Sequence, residues 1–233
     1  MKLLASLLTA ALLAVPAFDA LAQGHAAAEK PAAAAENHAG DGKAAGEGKA
    51  AQPAKPDLAQ GEQKFTAVCV ACHGAGGNSG VPANPKLAQQ HPEYIIKQLQ
   101  EFKAGKRKNP IMQGFAAQLS DDDMRNIGYY VASNKAKEGF AKDKALASMG
   151  EKIYRGGIAD RQIAACAGCH SPNGAGIPAQ YPRLSGQHAD YTVAQLTQFR
   201  EGVRNNSLQM TQIAAKLNDR EIRAVADYIA GLR

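Results

Sequence analysis

Apolar residues recur at helical spacing in two separate parts of the chain, and no segment shows the convincing alternation of a strand. The segment 93–103 follows Pro92, a residue suited to the first position of a helix, and has apolar residues at Ile95, Leu99 and Phe102. A second stripe, near the C-terminus, has the i, i+3, i+4, i+7 spacing of a buried helix face. It consists of Ile222, Val225, Ala226 and Ile229. The pattern predicts an all-α fold.

Polar residues mark where further helices begin. Ser120 precedes three aspartates, which is typical of an N-cap followed by an acidic first turn. The apolar face of the helix that it opens consists of Met124, Ile127 and Val131. Asn218 and Glu221 form a similar capping pattern before the C-terminal stripe. The segments between these helices are rich in Gly and Pro, which predicts loops.

From Leu58 onward the sequence repeats at an offset of 97 residues. The pairs that share this offset include Cys69/Cys166, His73/His170, Pro85/Pro182, Leu87/Leu184, His91/His188, Tyr94/Tyr191, Gln98/Gln195, Leu99/Leu196, Phe102/Phe199, Gly105/Gly202, Arg107/Arg204 and Asn109/Asn206. Two copies of this length indicate domain duplication rather than a solenoid. The charged stretch 135–144 separates the copies, so we expect domains at 58–140 and 141–233.

The strongest chemical signal is the sequence Cys-x-x-Cys-His, which occurs once in each copy and is the attachment signature of a c-type haem. Two thiols three positions apart lie close together at the start of a helical turn, where each can form a thioether with one haem vinyl group. The following histidine then lies beneath the ring and ligates the iron. The residues concerned are Cys69, Cys72 and His73, and Cys166, Cys169 and His170. The sequence therefore predicts two covalently bound haem c groups.

Two other uses of paired cysteines fit less well. A four-cysteine zinc site usually has about 15–20 residues between its pairs, whereas 93 residues separate Cys72 from Cys166. Thioredoxin-like dithiols need an α/β framework, and no strand is predicted. A histidine directly after both pairs favours haem attachment.

The second axial ligand decides whether such an iron is open to substrates or closed for electron transfer. Met112 and Met210 lie in matching loops, 98 residues apart, so the second copy has one extra residue before its methionine. We predict that these two methionines are the sixth ligands. His91 and His188, at the starts of matching helices, are the rival candidates. Met124 is instead expected in the core, because it aligns with Ile222 on an apolar helix face.

The N-terminal region has the pattern of an export signal. Lys2 precedes an apolar run of 13 residues, Leu3–Val15, and the sequence Ala20-Leu21-Ala22 is a cleavage pattern. We expect a signal peptide at 1–22 with cleavage before Gln23, and a periplasmic protein. Residues 23–57 contain no Leu, Ile, Val or aromatic residue, and we expect a disordered Ala/Lys/Gly/Pro-rich tail.

Charge suggests the kind of partner. The chain carries a formal net charge of +6, and its densest basic run, Lys106-Arg107-Lys108, lies just before the Met112 loop. This run either steers an acidic partner or is only a solvated turn. No long basic face or aromatic platform indicates nucleic-acid binding.

The duplication, the two haem motifs and the two methionine loops together resemble the di-haem cytochrome c4 family over about 58–233. The resemblance implies two class I cytochrome c domains related by a pseudo-two-fold, with haem propionates facing across the interface. It also implies an electron carrier, soluble or loosely membrane-associated, that takes electrons from a quinol-oxidising complex or dehydrogenase and feeds a terminal oxidase. A proline carbonyl is expected to accept the Nδ1 proton of each ligand histidine. The candidates are Pro82 or Pro85, and Pro178 or Pro182.

The chain departs from exact repetition before the second haem motif. Gly150 and Cys166 are eight residues further apart than Gly61 and Cys69, which predicts a longer loop there. Two other functions remain open: a cytochrome subunit of a dehydrogenase complex, such as a sulfide-oxidising flavocytochrome, or a di-haem peroxidase. The peroxidase needs an iron with a labile sixth position, and a methionine in both loops argues against it.

Overall fold

The computed structural model describes residues 55–233, which are helical and contain no strand beyond two isolated β-bridges. The predicted signal peptide and all but the last residues of the predicted tail lie outside the described residues. The helices of the first repeat are α1 (Leu58–Val68), α2 (Val70–His73), α3 (Pro92–Lys103), α4 (Pro110–Ala117) and α5 (Asp121–Ser133). Those of the second are α6 (Lys144–Gly156), α7 (Ala167–His170), α8 (Ala189–Arg200), α9 (Leu208–Ala214) and α10 (Asp219–Gly231).

The two predicted capping patterns, at Ser120 and at Asn218, are confirmed. At α5 the hydroxyl of Ser120 accepts the backbone N–H of Asp123, and the Asp123 carboxylate accepts the backbone N–H of Ser120, both at 3.0 Å. Asn218 and Glu221 make the same reciprocal pair at α10. Each box satisfies backbone donors that a helix start otherwise leaves without partners, so the last helix of each repeat begins at a fixed residue.

Each repeat has its own hydrophobic core. The first core contains Phe65, Ile95, Leu119, Met124, Ile127 and Val131. The second contains Ile153, Tyr154, Ile163, Leu196, Leu217, Ile222, Val225, Ile229 and Leu232. Met124 and Ile222 are both fully buried, as their alignment predicts.

Two glycines bring the first and last helices of each repeat into backbone contact. α1 packs against α5, and α6 packs against α10. A Cβ at Gly61 would lie 2.2 Å from the carbonyl oxygen of Asn126, and one at Gly150 would lie 2.0 Å from that of Ala224. Real Cβ atoms do not approach oxygen so closely, so both crossings require glycine. The crossings place the haem motif that follows α1 or α6 against the core.

The eight extra residues of the second repeat form a loop with its own packing. α6 ends at Gly156, and a bridge joins Ile158 to Ile163 before the haem motif begins. Ile163 is buried in the second core, and Arg161 forms an ion pair with Glu221 of α10. The predicted longer loop is therefore confirmed, and it is held against the last helix rather than projecting into solvent.

A matched pair of glutamine clamps joins the two repeats. Gln187 accepts from the backbone N–H of Lys86 at 3.0 Å and donates to its carbonyl at 2.9 Å. Gln90 makes the same two bonds with Arg183, at 2.8 and 2.9 Å. Because Lys86/Arg183 and Gln90/Gln187 share the offset of the repeat, the exchange is what a pseudo-two-fold axis between the domains produces.

The rival axial ligands also lie in this contact. The Nε2 of His91 donates to the carbonyl oxygen of Ala175 at 2.9 Å, and that of His188 donates to the carbonyl oxygen of Ser79 at 2.9 Å. Each histidine thus binds the backbone of the other repeat. This contact explains why both copies have a histidine at this position. Because each Nε2 atom is hydrogen-bonded, neither is free to bind a metal.

Two arginines occupy the middle of the contact. Arg107 and Arg204 are each only 7% exposed, and each stacks on a phenylalanine of its own repeat at about 4.5 Å. Arg107 donates to Gln98, Gln195 and the Tyr191 hydroxyl, and Arg204 donates to both glutamines and the Tyr94 hydroxyl. Buried guanidinium groups are tolerated because their donors are satisfied in this way.

Candidate haem sites

Each Cys-x-x-Cys-His motif folds as one short helical turn. In the first repeat the backbone N–H of His73 donates to the carbonyl of Cys69 at 3.0 Å, and in the second that of His170 donates to Cys166 at 2.8 Å. The turn places the first cysteine and the histidine on one side, while both histidines are buried. Burial raises the pKa of Cys69 and of Cys166 to about 11, so these thiols lack the low pKa of a thioredoxin-like nucleophile.

The two motif histidines are held by proline carbonyls, for each of which the sequence left two candidates. The Nδ1 of His73 donates to the carbonyl oxygen of Pro85 at 3.1 Å, and that of His170 donates to Pro182 at 2.9 Å. Burial lowers the pKa of both histidines, which favours the neutral imidazole. A proton on Nδ1 leaves the Nε2 lone pair available to a metal, and the carbonyl fixes the orientation of the ring.

In the first domain, His73 and Met112 line the same cleft. The other residues that line this cleft include both motif cysteines, Pro85 and Phe115. Two thiols, an imidazole and a thioether in a largely apolar slot are the donor set of a c-type haem. The residues present therefore fit the group, and the assignment of Met112 as sixth ligand stays a prediction.

In the second domain the corresponding motif and loop residues have different neighbours. Cys166 and Met210 both pack against the second core. The ring of Tyr181 meets His170 edge-on, with centroids 6.0 Å apart. The matching residue of the first repeat, Asn84, instead donates to the carbonyl oxygen of Cys72 at 3.1 Å. The surroundings of the two motif histidines therefore differ at this position, which the sequence pattern did not indicate.

The one-residue insertion changes how the methionine helices begin. Asn109 caps α4, and its side-chain oxygen accepts the backbone N–H of Met112 at 2.9 Å. In the second repeat the cap is Ser207, whose hydroxyl accepts the N–H of Met210 at a longer 3.4 Å. Cap-to-methionine spacing is thus preserved, which explains the 98-residue separation of the methionines.

The described residues offer no alternative metal centre. Within 55–233 no group of three or more His, Cys, Asp or Glu side chains is placed to hold a metal ion. The two cysteine pairs consequently do not converge on a zinc site. In the same range the absence of strands removes the framework of a thioredoxin-like dithiol.

The residue after each motif histidine has a backbone conformation normally reserved for glycine. Gly74 has φ 72° and ψ 165°, and its counterpart Ser171 has φ 69° and ψ 153°. This region is essentially Gly-only and costs a side chain roughly 1–3 kcal/mol. Ser171 is held there because its carbonyl accepts from the buried Tyr154 hydroxyl at 2.7 Å and its own hydroxyl donates to Gly176 at 2.9 Å.

We expect S171G to be more stable than S171A by about 1–2 kcal/mol, because both variants lose the hydroxyl but only alanine retains the strain. Thermal unfolding of the two haem-loaded variants measures the difference. In the first repeat, G74A is expected to be destabilised, since its Cβ would lie 2.6 Å from the Asn78 carbonyl oxygen. Equal stability of S171G and S171A would show that the backbone is not strained there.

Comparison with known proteins identifies the family of the chain. The Cytochrome c family matches residues 58–135 and 149–233. Cytochrome c4 of Stutzerimonas stutzeri is 48% identical over 187 residues, which cover 75% of this chain and 89% of that protein. A thiosulfate dehydrogenase electron acceptor of Stutzerimonas stutzeri strain A1501 is 36% identical, covering 74% of this chain and 82% of that protein.

A solved structure gives the same result in three dimensions. Reduced recombinant cytochrome c4 from Pseudomonas stutzeri superposes with a TM-score of 0.73 at 46% identity, covering 77% of this chain and 100% of that one. The likeness extends over both repeats, and with it the two covalent haem c groups that the motifs predict. The chain belongs to the cytochrome c4 family and is a di-haem electron-transfer cytochrome.

Proposed function

We propose that this cytochrome works in the periplasm, where it carries electrons along a respiratory chain to a terminal oxidase. The observation that carries the proposal is that His73 and Met112 line one cleft. If both residues bound a haem iron in this cleft, an imidazole and a thioether would leave no open position for a substrate, which suits outer-sphere transfer. A peroxidase would need one labile position.

The residues of the chain limit rearrangement during transfer. A bound haem supplies iron that changes reversibly by one electron. Pro85 and Pro182 fix the rings of the two histidines, and the caps Asn109 and Ser207 fix the starts of the methionine helices. Rigid ligands in a buried site change little on reduction, and the soft methionine sulfur favours the ferrous state and a high potential.

Export of the protein is part of the proposal. None of the described helices has the length and apolar character that crossing a membrane requires. We expect the haem-loaded protein in the periplasmic fraction, with a mature N-terminus at Gln23 measured by intact mass spectrometry. Full-length protein retained in the cytoplasm without haem would contradict the proposal, since the predicted signal would then not function.

The edge of the first haem cleft is the surface best suited to an acidic redox partner. Ile111 is 69% exposed beside the cleft, and Lys106 and Lys108 are exposed just before it. The third member of the basic run, Arg107, is buried in the domain contact and unavailable for steering. At the matching edge of the second repeat Leu208 is 67% exposed, but Val203 and Asn205 replace the two lysines. An apolar centre beside cationic residues therefore occurs only at the first of these two edges.

The variant K106V/K108N gives the first edge the residues of the second. We expect its association rate with an acidic donor or acceptor to fall about 3- to 10-fold at low salt, and the salt dependence to become shallower. Stopped-flow electron transfer across a series of salt concentrations measures both. The control K144Q/K152Q removes the same charge from α6 and should change the rate less. Equal effects of the two variants would show that net charge alone steers encounter.

A second function is favoured by the relative that serves as a thiosulfate dehydrogenase electron acceptor. In that case the cytochrome receives electrons from a sulfur-oxidising dehydrogenase rather than from a quinol-oxidising complex. Two stopped-flow experiments separate these roles. The oxidised protein is mixed with a thiosulfate dehydrogenase plus thiosulfate, and the reduced protein is mixed with oxidase-containing membranes. Fast oxidation by the membranes supports the proposal, whereas fast reduction by the dehydrogenase alone supports the alternative.

A further inference from the structure

A buried carboxylate breaks the symmetry of the contact between the domains. Glu101 of α3 is only 8% exposed, and its counterpart in the second repeat is the neutral Gln198. Both Glu101 oxygens lie 2.7 Å from the Lys97 ammonium, and one lies 3.4 Å from that of Lys106. Although burial favours protonation, hydrogen bonds from Lys97 and Asn206 hold the pKa of Glu101 below its usual range.

Asn206, in the other domain, is held by this carboxylate. Its Nδ2 donates to Glu101 at 2.6 Å and to Gln98 at 3.1 Å, and its Oδ1 accepts from Arg204 at 3.0 Å. The Asn206 carbonyl also accepts from Lys97 at 3.4 Å. Both partners of the Nδ2 group and the donor to the carbonyl belong to the first domain. A charge-assisted bond as short as that to Glu101 is stronger than a neutral one.

The matching asparagine of the first repeat does something different. Asn109 caps its own methionine helix, whereas Asn206 lies one residue before the cap, Ser207, because of the insertion. Ser207 makes the longer cap bond, and α9 has seven residues where α4 has eight. The second methionine helix is therefore less well fixed by its own cap, and the loop before it is held from outside.

We propose that Glu101 of the first domain, acting through Asn206, is a positioning residue for Met210 in the second domain. The proposal rests on the proposed function, in which Met210 is the sixth ligand of the second iron. Among the described residues the Met112 loop has no equivalent bond to the other domain, and its cap, Asn109, belongs to its own domain. Binding of Met210 thus depends on the contact between domains, and binding of Met112 does not.

Imidazole titration of the ferric, haem-loaded protein tests the dependence. External imidazole binds only where the methionine has left the iron, so its apparent affinity reports the fraction of open sites. Each ferric site is followed by the strongly shifted proton signal of its methionine methyl group. The signals are assigned with M112H and M210H, each of which removes one of them.

We expect N206A to tighten imidazole binding about tenfold at the second haem and to leave the first unchanged. N109A, at the matching position, should affect only the first. E101Q keeps the shape of the side chain but removes its charge. We therefore expect imidazole to bind about threefold more tightly at the second haem. E101A should tighten imidazole binding at the second haem as much as N206A does. The double variant should bind imidazole no more tightly than either single variant, because both substitutions remove the same interaction.

Equal effects of N206A on both haems, or no effect on either, would overturn the proposal. If N206A fails to accumulate, E101Q decides, since glutamine already stands at the matching position 198. Failure of the proposed function looks different: the unsubstituted protein would then lack a methionine methyl signal at the second haem. Normal signals in that protein with no response to E101Q or N206A reject only the positioning role.

Discussion

Replacing Met210 by histidine is expected to remove the long-wavelength sulfur-to-iron band of one haem and to lower the potential of that haem by on the order of 0.1–0.3 V, within the ~0.8 V range that axial ligands span. Histidine remains a ligand but lacks the soft sulfur that favours ferrous iron. M112H should do the same at the other haem. Spectro-electrochemical titration of both variants measures the band and the potentials.

The remaining methionines provide controls. Met124 is fully buried in the first core, and Met149 packs against the second. M124L and M149L should leave both sulfur bands and both potentials in place, because leucine conserves volume and neither sulfur is predicted to bind iron. Loss of a band in either control, or retention of both bands in M210H, would contradict the ligand assignment.

Replacing Gly150 by alanine is expected to destabilise the second domain by at least about 3 kcal/mol, the upper range for overpacking a core. The new Cβ would lie 2.0 Å from the Ala224 carbonyl oxygen and 2.8 Å from the Tyr228 Cβ. Backbone atoms of a packed helix cannot move aside as a flexible side chain can. The melting temperature should fall by more than about 10 °C, since about 1 kcal/mol shifts a domain of this size by 4–8 °C.

Gly156, on the same helix, is the matched control. A Cβ there meets nothing within 4 Å, so G156A should be neutral or slightly stabilising through helix propensity. Calorimetric scans of the haem-loaded variants compare the two substitutions. A G150A protein as stable as G156A would show that α6 and α10 do not cross as closely as described.

The sequence predicted those parts of the fold that depend on residues close together in the chain. Ser120 with Asp123, and Asn218 with Glu221, form the capping boxes that their spacing indicates. The burial of Met124 follows from its place on an apolar helix face. The haem motifs are equally local, because both thiols and the histidine lie within one helical turn. Signals of this kind need no knowledge of distant partners.

The domain contact could not be predicted in the same way. His91 and His188 bind carbonyl groups 84 and 109 residues away, so their sequence surroundings show only a polar residue before a helix. Arg107 stands in a basic run typical of a solvated turn, yet it is buried and bonded to the other domain. The repetition of these residues indicated that they matter but not that they bind one another.

The local detail of the sites was also beyond sequence. Each haem motif is followed by two candidate prolines at similar distances, and only the path of the loop brings Pro85 and Pro182 to the histidines. The residues around Ser171 do not indicate that its backbone has the conformation of a glycine, and only its alignment with Gly74 points to it. The insertion before Met210 was visible, but its effect on Asn206 depends on Glu101 of the other domain.

The spectro-electrochemical titration of the exported, haem-loaded protein tests the central claim most directly. It follows the ferric sulfur-to-iron band and the reduction of each haem at the same time. We predict two positive potentials, the band present at both haems, and no binding of external ligand to the reduced protein. A haem that lacks the band, or that is high-spin with a low potential, would contradict the two-electron carrier and indicate an enzyme with one working iron.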